Sequence, residues 1–235
     1  MRTRFLLGCL AAVLAVHAAD FPRTAVGKPD LSGFWNIPYT PNMAKELGDL
    51  PYTPAGKAAF DKVGSAYDPT GFCLYPGVPR IVNSPFPMEI VQTPDRVAFL
   101  YEYMTTFRSI NTEGRAHSKN PEPTFFGESV GRWDGDAFVV DTIGLNDRTW
   151  LDTAGHQHSE ALHVIERYQM ADANHIQLDI TVDDPKMYTK PWNNHRVLER
   201  LKPGEHLLEY SCDENNLDRD RGHLRPGSSI VPTAP

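Results

Sequence analysis

The chain has few cysteines, no cluster of basic residues and no long apolar run, and these features are typical of several large classes of protein. It has three cysteines in 235 residues, and one of them, Cys9, lies in an apolar N-terminal run. No cluster of Lys and Arg stands out, and the formal net charge is −7. That balance argues against nucleic acid and anionic membranes as partners. No stretch of the chain is apolar for long enough to span a membrane as a helix.

The signatures of common cofactor and nucleophile sites are also missing. The sequence shows no glycine-rich Rossmann or Walker spacing and no zinc-finger spacing. It also has no Gly-x-Ser-x-Gly motif, which is typical of serine hydrolases. We therefore expect no cofactor and no catalysis by a serine or cysteine nucleophile.

The N-terminus has the three parts of a secretory signal peptide. A positively charged start, an apolar run and small residues near Ala18 and Ala19 predict that residues 1–19 are removed on export. We expect a periplasmic or secreted protein with one domain over residues 20–212, followed by a flexible polar tail over residues 213–235. The two cysteines that survive, Cys73 and Cys212, are predicted to form a disulfide, because exported proteins favour paired cysteines.

Short apolar alternations dominate the mature chain. The 20 prolines argue for loops and short strands, and one short helix is expected after Thr53-Pro54. An Asp-Gly pair at Gly135 lies between two apolar runs and predicts a hairpin. We expect nine or ten antiparallel strands, ending with residues 206–212, in an all-β single barrel; a jelly-roll sandwich is the alternative.

Residues 30–35, which include Gly33-Phe34-Trp35, resemble the Gly-x-Trp opening of lipocalin-like (calycin) β-barrels. That resemblance implies one lipocalin-like barrel in which the tryptophan closes the barrel floor. A cysteine near the C-terminus that reaches back to an earlier loop also fits it. The prolines of residues 68–87 predict a proline-rich N-terminal segment before the main run of strands, and a barrel of about eight strands can hold one small ligand.

A second resemblance covers most of the mature chain. It rests on five segments, at residues 73–80, 101–103, 131–136, 156–160 and 184–192. They are similar to a family of exported proteins of soil bacteria. The resemblance implies kinship and export and attaches no activity; it identifies His-x-His-Ser-Glu as a family motif.

That motif belongs to residues 155–168, which we predict to be the central strand. Side chains alternate along a strand, so His156, His158 and Glu160 would share one face and His163 would lie on the other. Three hypotheses follow. The histidines act as acid–base catalysts oriented by Glu160, they bind a metal with Glu160 or His117, or they cap a strand end structurally.

Candidate substrate contacts come from the neighbouring strands. Tyr101, Tyr103 and Trp133 are predicted to line an apolar pocket, and Arg108 is predicted to hold an acidic substrate group. The alternative is that the aromatic residues are core and the arginine forms a salt bridge. The loop acids Asp152, Asp183 and Asp184 are expected to form turns.

Two functions remain open. The first is an exported small-molecule enzyme that uses general acid–base chemistry, such as a lyase, isomerase, cyclase or hydrolase. The second is a non-catalytic lipocalin-like carrier. Both imply a small apolar or aromatic ligand, no nucleic-acid partner and no membrane span.

Overall fold

The computed structural model describes residues 21–63 and 67–214. The predicted signal peptide and nearly all of the predicted C-terminal tail lie outside the described residues. Within the described part of the chain, no helix has both the length and the apolar character needed to cross a membrane.

Nine antiparallel strands form one sheet that curls into a nearly closed barrel. The strands are β1 (Gly33–Asn36), β2 (Met88–Gln92), β3 (Arg96–Tyr101), β4 (Thr106–Asn111), β5 (Glu128–Asp134), β6 (Ala137–Ile143), β7 (His163–Asp172), β8 (His175–Asp183) and β9 (Trp192–Arg200). Neighbours along the chain pair with each other except β4 and β5, and β1 pairs with β9, so the sheet order is β4-β3-β2-β1-β9-β8-β7-β6-β5. The predicted all-β antiparallel barrel is confirmed.

Every second side chain along a strand points inward, and these side chains fill the barrel. In β8 every second residue is fully buried: Ile176, Leu178, Ile180 and Val182 are all 0% exposed. Their partners on β7 include Val164 and Glu166, which the ladder places on the same inner face. Burial of one face is what makes this register specific, because a slip of one residue would turn the apolar set outward.

The barrel has a seam between β4 and β5. These two edge strands meet at one end only, through a bridge between Glu113 and Arg132 and a hydrogen bond from Gly114 N to Gly131 O of 2.9 Å. Gly131 allows this approach, since an added Cβ would lie 2.8 Å from Asn111 O and 2.6 Å from Phe138 Cζ. The seam is therefore closed by backbone at one end and by side chains elsewhere.

The long connections gather at one end of the barrel. The strand registers place residues 37–87, 144–162 and 184–191 together there, and we call these three segments the cap. Backbone hydrogen bonds join the segments, including Thr53 N to Met187 O at 2.9 Å and Ala154 N to Pro41 O at 2.8 Å. The cap therefore covers the barrel end with its own buried core.

The predicted helix lies in the cap as α1 (Pro54–Asp61). The Thr53 side chain accepts a hydrogen bond from Gly56 N at 3.0 Å, and Pro54 occupies the first helical turn. At Gly56 an added Cβ would lie 2.1 Å from Met187 O, so the helix packs directly on the 184–191 segment. The sequence predicted this helix correctly because both start signals are local.

Cys73 and Cys212 form the predicted disulfide. The prediction that residues 206–212 form a last strand is wrong, because no strand lies beyond β9 in the described part of the chain. The segment is instead held by single contacts, from Leu208 N to Glu102 Oε2 at 2.8 Å and from Thr105 Oγ1 to Tyr210 O at 2.7 Å. The disulfide links the end of this segment to Cys73 in the cap.

The predicted start of the central strand is also wrong. Strand β7 begins at His163, and residues 155–162 form a loop and a turn in the cap. The hydrogen bond from Leu162 N to Ser159 O, 3.1 Å, closes that turn. His156 and His158 therefore do not share a strand face.

Candidate functional site

The His-x-His-Ser-Glu segment lies in the part of the cap that follows β6. Gln157 makes an isolated bridge to Trp150, and Leu151 N donates to His156 O at 2.7 Å, so residues 150–157 double back on themselves. His156 and His158 are both buried, at 5% and 4% exposure, whereas Glu160 is exposed. The two imidazoles thus belong to the interior of the cap.

Asp152 holds His156. The imidazole Nδ1 lies 2.6 Å from Asp152 Oδ2, and the same carboxylate accepts from Met43 N at 2.8 Å and His156 N at 3.3 Å. Because a carboxylate only accepts hydrogen bonds, Nδ1 carries the proton and a neutral ring keeps its lone pair on Nε2. The ring also stacks on Phe60, with centroids 5.0 Å apart and planes 6° apart. Asp152, and not Glu160, is the carboxylate that orients an imidazole.

His158 is fixed differently. Its Nδ1 lies 3.1 Å from Ser159 O, and since a carbonyl accepts, this nitrogen carries the proton in the neutral ring. Its Nε2 is buried and has no hydrogen-bond partner among the described residues. Burial lowers the pKa of His158, although the Ser159 carbonyl, Asp184 and Asp147 act in the opposite direction. The ring is therefore neutral at neutral pH and presents an accepting Nε2.

Asp184 ties the His158 loop to the turn between β8 and β9. Its fully buried carboxylate accepts hydrogen bonds from Ser159 N at 2.6 Å and Ser159 Oγ at 2.9 Å. It also accepts from Lys186 N at 3.1 Å and Met187 N at 3.3 Å. The sequence pointed to a turn at Asp183-Asp184 but gave no sign that Asp152 and Asp184 are buried anchors of the cap.

Arg108 lies inside the barrel and spans the seam. From β4 its guanidinium donates to both oxygens of Glu166 on β7, at 3.0 and 2.6 Å, and to Ser129 Oγ and Thr142 Oγ1 at 3.0 and 3.1 Å. Arg108 and Glu166 are 4% and 0% exposed. The carboxylate that Arg108 was predicted to take from a substrate is supplied by Glu166, so the salt-bridge alternative describes this residue.

The predicted aromatic contacts lie in three separate places. Tyr101 is buried inside the barrel near Arg108, and burial raises the pKa of its hydroxyl. Tyr103 lies in the turn between β3 and β4, where it stacks on Phe86 with centroids 5.0 Å apart. Trp133 packs against Phe138 inside the barrel. Among the described residues, the ring-to-ring contacts of these three side chains are with other aromatic residues, and none is with His156 or His158.

The middle of the barrel is occupied by its own side chains. Phe99 and Tyr168 stack with centroids 5.0 Å apart, and both are 0% exposed. Tyr168 also donates to Glu166 Oε1 at 2.8 Å. A ligand in this protein is therefore better placed at the capped end than in the middle of the barrel.

The metal hypothesis finds no support in the described part of the chain, where no group of three or more His, Cys, Asp or Glu side chains is arranged to hold a metal ion. His117, predicted as a third ligand, instead lies 2.9 Å from Asp141 Oδ1, and His163 shares that oxygen at 2.8 Å. This pair of histidines holds the loop after β4 against β6 and β7.

Comparisons with known proteins give only structural neighbours. No protein-family model and no curated protein matches the chain. A solved structure of the REP1-NXSQ fatty acid transporter is 15% identical, covers 74% of this chain and 97% of its own, and has a TM-score of 0.38. A point mutant of the fluorescent protein UnaG is 13% identical, covers 73% and 96%, and has a TM-score of 0.35. Similarity at this level carries no inference about a ligand, and kinship with exported soil-bacterial proteins stays a prediction.

Proposed function

We propose that this protein is an exported small-molecule-binding barrel whose ligand lies within the cap and donates a hydrogen bond to His158 Nε2. One observation carries the proposal: a buried, neutral imidazole whose accepting nitrogen has no partner among the described residues. A buried polar atom without a partner costs about 1–3 kcal/mol. A ligand with an N–H or O–H group in this position would remove that cost.

The surroundings of the histidine segment indicate which ligands fit. Asp184 and Asp147 both act electrostatically on His158, so an anionic ligand is disfavoured, and burial of the imidazole disfavours any charged ligand beside it. Aromatic rings lie in the same part of the cap. Tyr52 lies 5.3 Å from Tyr188 between centroids, and Tyr188 lies 5.6 Å from Trp192. The expected ligand is therefore a small, neutral, apolar or aromatic molecule with a hydrogen-bond donor, such as a phenol or an amide.

Two further atoms support a polar ligand in the cap region. The Tyr52 hydroxyl and Trp192 Nε1 are buried and have no hydrogen-bond partner among the described residues. Both can donate, so they can pair with an acceptor on the ligand. A small number of polar groups among aromatic rings is typical of small-molecule sites.

Export remains part of the proposal. The tripartite N-terminus motivates it, and the disulfide between Cys73 and Cys212 is compatible with it because such bonds persist in oxidising compartments. Carriage of a ligand through the periplasm or outside the cell is the expected role.

A second candidate function is the acid–base enzyme, and the Asp152–His156 pair favours it. A carboxylate that fixes the tautomer of an imidazole leaves Nε2 free to take a proton, and such a group contributes typically 10²–10⁴-fold to rate. However, the same carboxylate anchors two backbone amides of the cap, which gives it a sufficient structural role.

A titration series separates the two functions. The mature protein is screened by thermal shift against matched panels of neutral phenols, neutral amides and carboxylic acids. The hits are then titrated with wild type, His158→Ala and His163→Ala protein, and followed by mass spectrometry. Binding of neutral donors that His158→Ala weakens and His163→Ala leaves unchanged supports the carrier. Conversion of the ligand that His156→Ala abolishes supports the enzyme, and no binding in any panel contradicts both.

A further inference from the structure

The inner face of β9 carries a row of polar atoms without partners. Trp192 Nε1, Asn194 Oδ1 and Arg196 Nε are buried and have no hydrogen-bond partner among the described residues. The ladder pairs Asn194 with Ile180 of β8. It pairs Arg196 with Leu178, and both of these β8 residues are 0% exposed. Directly paired residues point to the same face of a sheet, so these polar side chains lie beside an apolar wall.

The amide of Asn194 has a settled orientation. Its Nδ2 donates to Met43 O in the cap at 3.1 Å, and because a carbonyl only accepts, the other amide atom is the accepting Oδ1. Asn194 is 9% exposed, and its Oδ1 is fully buried. This oxygen therefore lacks a donor, and a ligand with an N–H or O–H group would supply one.

Arg196 is a half-buried cation without an acid beside it. Its guanidinium donates to Pro38 O in the cap, and it forms no ion pair in the part of the chain that the structure describes. The more deeply buried Arg80 and Arg108, by contrast, each pair with a carboxylate. Burial lowers the pKa of Arg196, and only Glu46, an exposed residue whose charge water screens, acts in the opposite direction. The charge of Arg196 is therefore poorly compensated.

We propose that Asn194 and Arg196 bind a small organic acid that carries a hydroxyl or amide N–H group beside its carboxylate. The carboxylate accepts a charge-assisted hydrogen bond from Arg196 Nε, and the neighbouring donor pairs with Asn194 Oδ1. The two residues are two positions apart on one strand, about 6.6 Å, which α-hydroxy acids and N-acyl amino acids can span. Leu178 and Ile180 offer apolar surface to the carbon skeleton of such a molecule.

The accepting oxygen of Asn194 disfavours other anions. Sulfate presents only accepting oxygens, which Asn194 Oδ1 would repel. A simple fatty acid also has no donor next to its ionised carboxylate. The site therefore selects for an acid and a donor together, and not for negative charge alone.

This site is separate from the one proposed at His158. The ligand at His158 is neutral and donates to an imidazole of the cap, whereas this ligand is an anion held by two side chains of β9. Trp192, the third member of the row, contacts Tyr188 and belongs with the His158 ligand. Failure of acid binding would leave the proposal for His158 untouched, and the reverse also holds.

Matched ligands test the inference on the wild type. Spectra that correlate ¹H and ¹⁵N follow the arginine Nε–H signals of the disulfide-bonded mature protein while mandelate, phenylacetate, methyl mandelate or sulfate is added at equal ionic strength. Phenylacetate lacks the hydroxyl of mandelate, and methyl mandelate lacks its charge. We expect mandelate to shift the Arg196 signal and to bind at least about tenfold more tightly than either analogue, because each analogue leaves one buried polar atom unpaired. Sulfate should not shift this signal.

Three variants assign the binding to these residues. Arg196→Met should weaken mandelate binding by about tenfold or more, and Asn194→Leu should make mandelate and phenylacetate bind equally. Arg96→Met is the matched control, because it removes the same charge from an exposed position on β3. Circular dichroism confirms that each variant folds.

The ligand comparison needs no variant, so the inference is tested even where Arg196→Met does not fold. Equal binding of mandelate and phenylacetate by the wild type would overturn the proposal. An Arg196 signal that no acid moves would also overturn it, as would a loss of mandelate binding that Arg96→Met shares.

Discussion

At the scale of single residues, two buried carboxylates hold the cap together. Asp184 accepts four hydrogen bonds from three residues of two cap segments. Asp184→Ala leaves those donors unpaired, and we expect a loss of about 3–5 kcal/mol in the free energy of unfolding. Urea unfolding measures it. Asp179→Ala, at an exposed surface pair with His195, should change stability by less than about 0.5 kcal/mol; equal losses would contradict this account of the cap.

The buried imidazole of His158 makes stability depend on pH. Its pKa is lowered in the folded protein, so the unfolded chain takes up a proton first as the pH falls. The stabilisation that the neutral His158 ring contributes is fully present above the unfolded pKa of about 6.5, and it is lost as the pH falls below that value. His158→Gln should therefore flatten the decrease of the urea midpoint between about pH 7.5 and 5. The exposed His206 provides the control, and a His206→Gln profile as flat as that of His158→Gln would refute the assignment.

Inside the barrel, the ion pair between Arg108 and Glu166 predicts strong non-additivity. Replacing one partner leaves a buried charge alone, so Arg108→Met and Glu166→Leu should each cost about 3–5 kcal/mol. The double variant should recover most of that loss, because two apolar side chains can replace a buried pair. A double-mutant cycle in urea measures the coupling. Additive losses would show that the two charges do not depend on each other.

The sequence could indicate Arg108 only in part. Strand alternation on β4 predicts an inward side chain, and a buried arginine needs an acid, but nothing local identifies Glu166 as that acid. The same limit applies to Asp152 and Asp184. Their residue types suit turns, and only the packing of the cap turns their carboxylates inward. Contacts between segments that are distant in sequence depend on the tertiary fold, so the local sequence pattern does not predict them.

At the scale of elements, the disulfide fastens the segment after β9 to the cap. It joins Cys73 and Cys212 across a sequence separation of 139 residues. The chain-entropy account gives a closure of this length about 4–5 kcal/mol. Cys73→Ser with Cys212→Ser should therefore lower the melting temperature and speed amide exchange in residues 206–212. Reduction of the wild type should produce the same change, and an unchanged melting temperature in the double variant would contradict this role.

Most strands could be predicted because apolar alternation is a local property. The start of β7 at His163 could not be predicted from such alternation. His156, His158, Glu160 and Leu162 alternate as a strand does, yet Ser159 to Leu162 form a turn whose amides Asp184 and Ser159 satisfy. The prediction of a final strand failed for a related reason: residues 206–212 have a strand-like pattern, but they are held by single hydrogen bonds, ring contacts of Tyr210 and the disulfide, and not by pairing with another strand.

At the scale of the whole molecule, the barrel and the cap have different roles. The barrel interior is packed with its own aromatic side chains and sealed at the seam by Arg108, so it serves as a scaffold. The cap carries the buried histidines and the buried acids. The proposed site lies in the long connections, so a barrel resemblance could predict the architecture but not that site.

The most direct test of the account is a long-range ¹H–¹⁵N spectrum of the histidine side chains, recorded with and without the tightest neutral binder from the phenol and amide panels. The account predicts a neutral His158 with its proton on Nδ1, and a shift of its Nε2 signal on ligand addition that His206 does not share. A His158 ring that carries protons on both nitrogens at neutral pH, or an Nε2 signal that saturating ligand does not move, would contradict the proposed site.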